Sequence, residues 1–162
     1  MKIYSKENAF DSALNRIRYL YEEFEEIIVG FSAGKDSVAT LEMALIVAKE
    51  KKRLPLKVLF IDQEAEWQGT IDLVKETMYR KDIEPLWFQM PMVISNNASS
   101  TERFSYCWNE EEKDLWIHEK DPISIKENTY GTDRFHELFG EIIKQDYKDK
   151  KACYLSGVRT EE

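Results

Sequence analysis

The sequence contains few of the residues from which metal centres and disulfide frameworks are built. Its 162 residues include two cysteines and two histidines. Cys107 and Cys153 are separated by 45 intervening residues and form neither a CxxC motif nor a Cys/His ligand set, so the sequence gives no support for a zinc site or a disulfide framework. His118 and His136 lie in unrelated surroundings, which is typical of packed or surface residues. We therefore predict reduced structural thiols and no metal site.

Long apolar runs are also missing. No run is long enough to cross a bilayer, and the start MKIYSKENAFDS lacks the continuous apolar segment of a signal peptide. We therefore expect a cytoplasmic protein without a membrane partner. A hydrophobic content of 43% and the absence of repeats predict one globular domain over residues 1–162.

Acidic residues outnumber basic ones. Thirty-one acidic against 23 basic residues give a formal net charge of -8. The average field of such a molecule does not attract phosphate backbones, so no nucleic-acid partner is indicated, although a local basic pocket remains compatible with this charge.

Helical and extended patterns alternate along the first half of the chain. Helices are predicted from Glu7 to Glu23, from about Val38 to Ala48 and from about Trp67 to Met78; strands are predicted over 26–31, around 58–61 and over 84–90. Such alternation indicates right-handed βαβ crossovers. The predicted fold class is α/β, a three-layer α/β/α sandwich with a mostly parallel, Rossmann-like sheet.

The periodicity weakens over residues 91–130, which we predict to be an irregular insertion and a candidate lid or partner surface. Trp108 and Trp116 within it either dock a protein partner or fold back onto the core. A helical pattern returns from Phe135 to Ile143, and residues 151–159 predict a last strand.

The turn FSAGKDS stands between the first predicted strand and the helix after it. Ligands of open α/β sheets bind beyond the carboxyl ends of the strands. Ser32, Ala33 and Gly34 are small enough for backbone N–H groups to approach an anion, and the helix N-terminus favours the same charge. Lys35 adds a positive charge, and Asp36 or Ser37 is predicted to cap the helix. The turn therefore suits phosphate or a similar oxyanion.

Spacing excludes the common nucleotide loops. Three residues separate Gly30 from Gly34 where the G-x-x-x-x-G-K-[ST] motif needs four, and Asp36 replaces the hydroxyl residue after the lysine. A GxGxxG motif is absent. The alternative to an anion site is a glycine turn with a capped helix and a surface lysine.

Three motifs together resemble one family. SAGKDS, LFIDQEAEW after the second strand and SGVRTEE at the chain end are similar to the adenine nucleotide α-hydrolase superfamily and, within it, to the phosphoadenosine phosphosulfate (PAPS) reductase-like branch. The loop lysine and the G-x-R element favour that branch over the ATP pyrophosphatases, whose PP-loop usually reads SGGxDS. The resemblance extends over residues 26–162 and includes stand-alone proteins described as co-activators.

The resemblance implies a set of site residues. The modified loop would bind the phosphate or sulfate end of an adenine nucleotide, and the end of the second strand would contact the base through backbone groups. The G-x-R element would bring a guanidinium to the anion. The nucleotide-binding residues implied are Ser32, Ala33, Gly34, Lys35, Asp36, Ser37, Ile61, Asp62, Gly157 and Arg159.

The sequence also departs from the family pattern. Ala33 replaces a glycine, so either its φ is ordinary or the loop has an altered shape. The reductases of the family carry a catalytic cysteine in a C-terminal segment, and neither cysteine here matches that position. Cys153 is predicted to be buried and Cys107 to have a route to solvent. The chain is either a fragment of a longer protein or a short relative, and its catalytic residues are not identified.

Two functions remain open. One is a sulfonucleotide reductase-like or nucleotidyl- or sulfur-transfer protein that binds PAPS, adenosine phosphosulfate or ATP, with Mg²⁺ if ATP is used. The other is a non-catalytic regulatory or co-activator module that retains the nucleotide and docks a protein through Trp108 and Trp116. The acidic residues Asp62, Glu64 and Glu66 are either metal-side carboxylates or a solvated turn at a helix start.

Overall fold

A four-stranded parallel sheet forms the centre of the structure, a computed structural model that describes residues 6–158. The elements in chain order are helix α1 (Ala9–Glu23), β1 (Glu26–Gly30), α2 (Lys35–Glu50), β2 (Leu56–Ile61), α3 (Gln68–Met78), β3 (Ile83–Phe88), β4 (Met92–Ser95), β5 (Phe104–Cys107), a 3-10 helix (Glu110–Leu115), α4 (Phe135–Asp146) and β6 (Ala152–Leu155).

The strand order of this sheet is β3-β2-β1-β6, with every neighbouring pair parallel. The chain builds outward from β1 through β2 to β3 and then returns to the other side of β1 with β6. The sheet therefore has a topological switch point between β1 and β6, where α/β sheets open a crevice for ligands.

Both faces of the sheet are covered. Side chains alternate along β1, so Ile27 and Val29 join the core beneath α1, α2 and α3, whereas Ile28 joins the core beneath α4. The second core also takes up the apolar side of a separate antiparallel hairpin, β4–β5. The predicted three-layer α/β/α architecture with a parallel sheet is confirmed.

The ends of the predicted elements shift by a few residues, for identifiable reasons. Helix α1 begins at Ala9 because the Asn8 side chain caps it, accepting a hydrogen bond from the Asp11 N–H at 2.9 Å. Strand β3 ends at Phe88, two residues earlier than predicted. Beyond it the Gln89 N–H donates to the carbonyl of Ile125 at 2.9 Å, so the chain leaves its partner β2.

The expectation of little regular structure over residues 91–130 is wrong in part. Strands β4 and β5 form a hairpin, and a 3-10 helix follows. Each strand has only four residues, too few for an alternating pattern to stand out, and the pairing joins residues that are distant in sequence. Among the described residues, no helix has the length and apolarity needed to cross a membrane.

Candidate functional site

A cavity of about 820 Å³ opens at the carboxyl edge of the parallel sheet. It lies at the switch point between β1 and β6, and the loop at residues 32–37 borders it. Its walls come from the ends of β1, β2 and β6 and from the starts of α2 and α4; the lining residues outside that loop include Gly30, Ile61, Gln63, Glu66, Phe135, His136, Phe139, Tyr154, Ser156 and Gly157.

The first turn of α2 faces this cavity without a side-chain cap. The N-cap residue is Gly34, which has no side chain, so the prediction that Asp36 or Ser37 caps the helix is wrong. The first-turn N–H groups of a helix have no partner within it, and the helix dipole makes this end positive. Lys35 lines the same wall, and no carboxylate among residues 6–158 forms a salt bridge with it. The positive end of α2 and the Lys35 side chain therefore meet at one wall of the cavity, which Asp36 lines as well.

Ser37 maintains the shape of the loop. Its side chain is buried, and its hydroxyl donates to the carbonyl of Gly34 at 2.9 Å and accepts from the N–H of Ser32 at 3.2 Å. The hydroxyl of Ser32 donates to that of Ser37 at 3.2 Å. These bonds close the loop on itself and hold its backbone in one arrangement.

Ala33 adopts a left-handed conformation with a φ of 55°, so the altered loop shape is the one observed. This region costs a non-glycine residue about 1–2 kcal/mol. Alone among the six loop residues, Ala33 does not line the cavity but packs its methyl group against the core beneath α1 and α2. The residue that departs from the family pattern thus contributes to packing, not to the cavity wall.

Two glycines permit close approaches around the cavity. A Cβ atom at Gly157 would lie 2.7 Å from the carbonyl oxygen of Asp36, so the segment after β6 crosses the start of α2 where only glycine fits. A Cβ atom at Gly30 would lie 1.8 Å from the hydroxyl of Tyr154. The close approach explains why a glycine stands at position 157, and its nucleotide-binding role stays a prediction, whereas Arg159 lies outside the described residues.

The structure separates the two predicted residues at the end of β2. Ile61 lines the cavity, but Asp62 is fully buried beneath it. Both backbone polar groups of Asp62 are engaged within the protein: its N–H donates to the carbonyl of Phe88 at 2.9 Å, and its carbonyl accepts from Nε1 of Trp108 at 2.7 Å. The structure therefore does not bring Asp62 to the cavity wall.

The carboxylate of Asp62 joins several segments of the chain at the end of β2. It accepts hydrogen bonds from Trp87 Nε1 at 3.1 Å, from Gln89 Nε2 at 2.9 Å and from the backbone N–H of Glu64 at 2.8 Å. His118 Nε2 lies 3.6 Å from Asp62 Oδ1, and interaction with this carboxylate raises the pKa of His118 against the lowering effect of partial burial. The alternative of a solvated acidic turn is therefore wrong for Asp62.

The prediction that Trp108 docks a partner is wrong, because its ring is fully buried. Its backbone N–H donates to the Glu64 carboxylate at 2.6 Å, and its ring meets that of Trp116 edge to face at 5.4 Å. Trp116 is half-buried, and the ammonium of Lys120 covers its ring at 4.5 Å. Both tryptophans pack against the protein, which is the other possibility stated for them.

Neither cysteine is exposed. Cys107 is buried, contrary to the expected route to solvent, and Cys153 is half-buried. Burial, with smaller contributions from Glu64 and Asp62, raises the pKa of the Cys107 thiol to about 12, and burial raises that of Cys153. Both thiols are protonated near neutral pH, so neither is a nucleophile there.

Several residues of the cavity escaped the sequence-based prediction. Gln63 lines the cavity directly after the end of β2, and this position after a strand end was an available signal. Glu66 lines the cavity too, although the sequence indicated it only as a metal-side carboxylate or as part of a solvated turn. Phe135, His136 and Phe139 come from α4, and only the tertiary fold brings this helix to the cavity. Within residues 6–158, no group of three His, Cys, Asp or Glu side chains is arranged to hold a metal ion.

Comparison with known proteins identifies the class of domain. Residues 26–130 match the family model of the phosphoadenosine phosphosulfate reductase domain. This match covers more than half of the chain, and the chain therefore belongs to that family. Membership indicates a nucleotide-binding domain related to those for sulfonucleotides.

One relative is the uncharacterized protein YbdN of Escherichia coli (strain K12), which is 25% identical over 164 residues. The alignment covers 96% of this chain and 39% of the relative, so the chain spans about two fifths of that protein's length. No solved structure matches the chain.

Proposed function

We propose that the cavity binds an adenine nucleotide, namely PAPS, adenosine phosphosulfate or ATP, with its phosphate or sulfate end against the loop at residues 32–37. The observation that carries this proposal is the uncapped start of α2, which faces the cavity beside Lys35. Backbone N–H groups, a helix dipole and an ammonium that has no salt bridge within residues 6–158 then act on one anion.

The size and walls of the cavity support a ligand of this class. Small-molecule pockets typically occupy about 300–1,000 Å³, and this one falls in that range. Apolar walls from Ile61, Phe135 and Phe139 suit a base and a ribose, while the charged loop suits the other end. The family resemblance adds Arg159, two residues after Gly157, as a guanidinium for the anion.

The thiols favour binding over reduction by this stretch of chain. Reduction of a sulfonucleotide by a thiolate needs a cysteine that ionises near neutral pH, and the environments of Cys107 and Cys153 raise both pKa values. We therefore propose a nucleotide-holding role in sulfur metabolism in the cytoplasm, either in a transfer reaction at the α-phosphate or sulfur or in regulation. If ATP is the ligand, we expect Mg²⁺ to arrive bound to its phosphates.

Calorimetric titration with PAPS, adenosine phosphosulfate and ATP tests the proposal. We expect at least one to bind, and Lys35→Ala to weaken that binding about tenfold or more because a charge-assisted contact is lost. The matched control is Lys49→Ala, which removes an exposed lysine from the other end of α2 and should leave the affinity unchanged. Absence of binding for all three nucleotides would overturn the proposal.

A further inference from the structure

Tyr154 places its hydroxyl directly over the backbone at the end of β1. Its register partner on β1 is Ile28, which faces the core beneath α4, so the Tyr154 ring lies on that face of the sheet. The ring packs against that of Phe139 with a centroid distance of 4.2 Å. A Cβ atom at Gly30 would lie 1.8 Å from the Tyr154 hydroxyl oxygen and 2.3 Å from ring atom Cζ. The ring therefore uses the space that a side chain at position 30 would fill.

Two short stretches of chain connect this hydroxyl to the loop at residues 32–37. Gly30, beneath the hydroxyl, is two residues before Ser32, so their Cα atoms are at most about 7.6 Å apart. Gly157, three residues after Tyr154, crosses the start of α2. Tyr154 and Gly30 line the same cavity as five of the six loop residues. The hydroxyl is therefore close to the wall that carries the proposed anion site.

The Tyr154 hydroxyl has no hydrogen-bond partner among residues 6–158. The hydroxyls of Tyr79 and Tyr130 differ, because they donate to the carboxylates of Asp121 and Asp146 at 2.8 Å and 3.0 Å, respectively. Tyr154 is 37% exposed and lines the cavity. Its hydroxyl is therefore available to a ligand that occupies the cavity.

This hydroxyl suits an anion as its partner. Burial raises the pKa of Tyr154, so the proton stays on the oxygen at neutral pH and the group can donate. A hydrogen bond from a hydroxyl to a charged oxygen is shorter and stronger than one between neutral groups. Because Phe139 and the Gly30 backbone already hold the ring, little side-chain freedom remains to be lost on binding.

We propose that the Tyr154 hydroxyl donates a hydrogen bond to the phosphate or sulfate group that lies against the loop at residues 32–37. This role rests on the proposed function. The anion then meets three kinds of donor, namely the backbone N–H groups at the start of α2, the Lys35 ammonium and this hydroxyl. If the ring served only to pack against Phe139 and form part of the wall, the hydroxyl would not be needed.

Tyr154→Phe separates these two roles, because it removes the hydroxyl and keeps the ring. Calorimetric titration of the full chain uses whichever of PAPS, adenosine phosphosulfate and ATP binds most tightly. Adenosine, which has no anionic group, is measured by its displacement of that nucleotide. We expect Tyr154→Phe to weaken nucleotide binding about tenfold, as for one hydrogen bond to a charged group, and to leave the inhibition constant of adenosine unchanged. Tyr19→Phe, at an exposed position of α1, is the matched control and should retain both affinities.

Stability without ligand provides a second readout. Since the hydroxyl has no partner among residues 6–158, Tyr154→Phe should leave the midpoint of chemical denaturation unchanged. A loss of nucleotide affinity at unchanged stability would show that the variant has lost a contact with the ligand and not the packing of the wall.

The outcomes distinguish this inference from the function on which it rests. An unchanged nucleotide affinity in Tyr154→Phe, or an equal loss of affinity for the nucleotide and for adenosine, would overturn the role of the hydroxyl while leaving nucleotide binding in place. Failure of the unmodified chain to bind any of the three nucleotides would overturn both.

Discussion

The two sides of the cavity are built in different ways. The side on which we propose that the anion binds, the anion side, consists of the loop at residues 32–37, of which all but Ala33 line the cavity, and Gly157 approaches it from a distant segment. The β2 side rests on buried side chains from separate segments, Asp62, Trp87, Gln89 and Trp108. Local sequence therefore determines the anion side, whereas the β2 side depends on how residues 91–130 fold.

The contact between Glu64 and Trp108 shows how strongly the β2 side is constrained. Both residues have positive φ values, 65° and 58°, in the left-handed region. Such conformations cost about 1–3 kcal/mol each and persist where surrounding contacts determine them. Gln89 adds a second tie, because its amide oxygen accepts from the N–H of Asp121 while its nitrogen donates to Asp62. The segment is thus anchored to the end of β2 and does not form a free lid.

The largest effect should follow from removing the carboxylate at the centre of the β2 side. Asp62→Ala leaves the donors of Trp87, Gln89 and Glu64 without their acceptor, so we expect the free energy of unfolding to fall by about 3 kcal/mol or more. Chemical denaturation measures this. Asp72→Ala, at an exposed position of α3, is the control and should change stability little. If the free energy of unfolding fell by a similar amount in both variants, the β2 side would not depend on the Asp62 carboxylate.

A substitution at Gly157, on the anion side, should reduce nucleotide affinity more than stability, whereas Asp62→Ala should mainly reduce stability. In Gly157→Ala the new Cβ would approach the backbone of Asp36 to 2.7 Å, so the segment after β6 must move away from the start of α2. We expect nucleotide affinity to fall about tenfold, equivalent to about 1.4 kcal/mol. Calorimetry and denaturation on the same sample measure the two effects, and the control is Gly69→Ala, where nothing lies within 4 Å of the added Cβ. Stability loss without a change in affinity would contradict the assignment of this glycine to the anion site.

The smallest effect concerns the pH dependence of stability on the β2 side. The folded state raises the pKa of His118, so the charged ring stabilises the fold fully below its unfolded pKa of about 6.5, and this contribution is lost as the pH rises through the folded pKa. The stability difference between the unmodified chain and His118→Gln should therefore shrink from pH 5.5 to 8.5. A difference that grows with pH would show that Asp62 does not stabilise the charged ring.

Local patterns predicted the parallel sheet well. Apolar residues spaced along α1, α2 and α3 and the short runs at β1, β2 and β3 carry their own periodicity, because each element buries one continuous face or lies between two layers. Patterns of this kind predict neither the pairing of β4 with β5 nor the burial of the Trp108 ring. The burial of that ring depends on a hydrogen bond to Asp62, 46 residues earlier in the chain. No local signal encodes such a pair.

By itself, the sequence determined the α/β class and the family, and it indicated the loop at residues 32–37 as a candidate anion site, because strand, turn and helix N-terminus are consecutive there and their chemistry is local. Tertiary structure alone decided that Asp62 is buried beneath the cavity, that Glu66 lines it, and that Phe139 and Tyr154 close its other side. A strand places alternate residues on opposite faces, but only the packing of distant segments against those faces decides which side chains remain accessible.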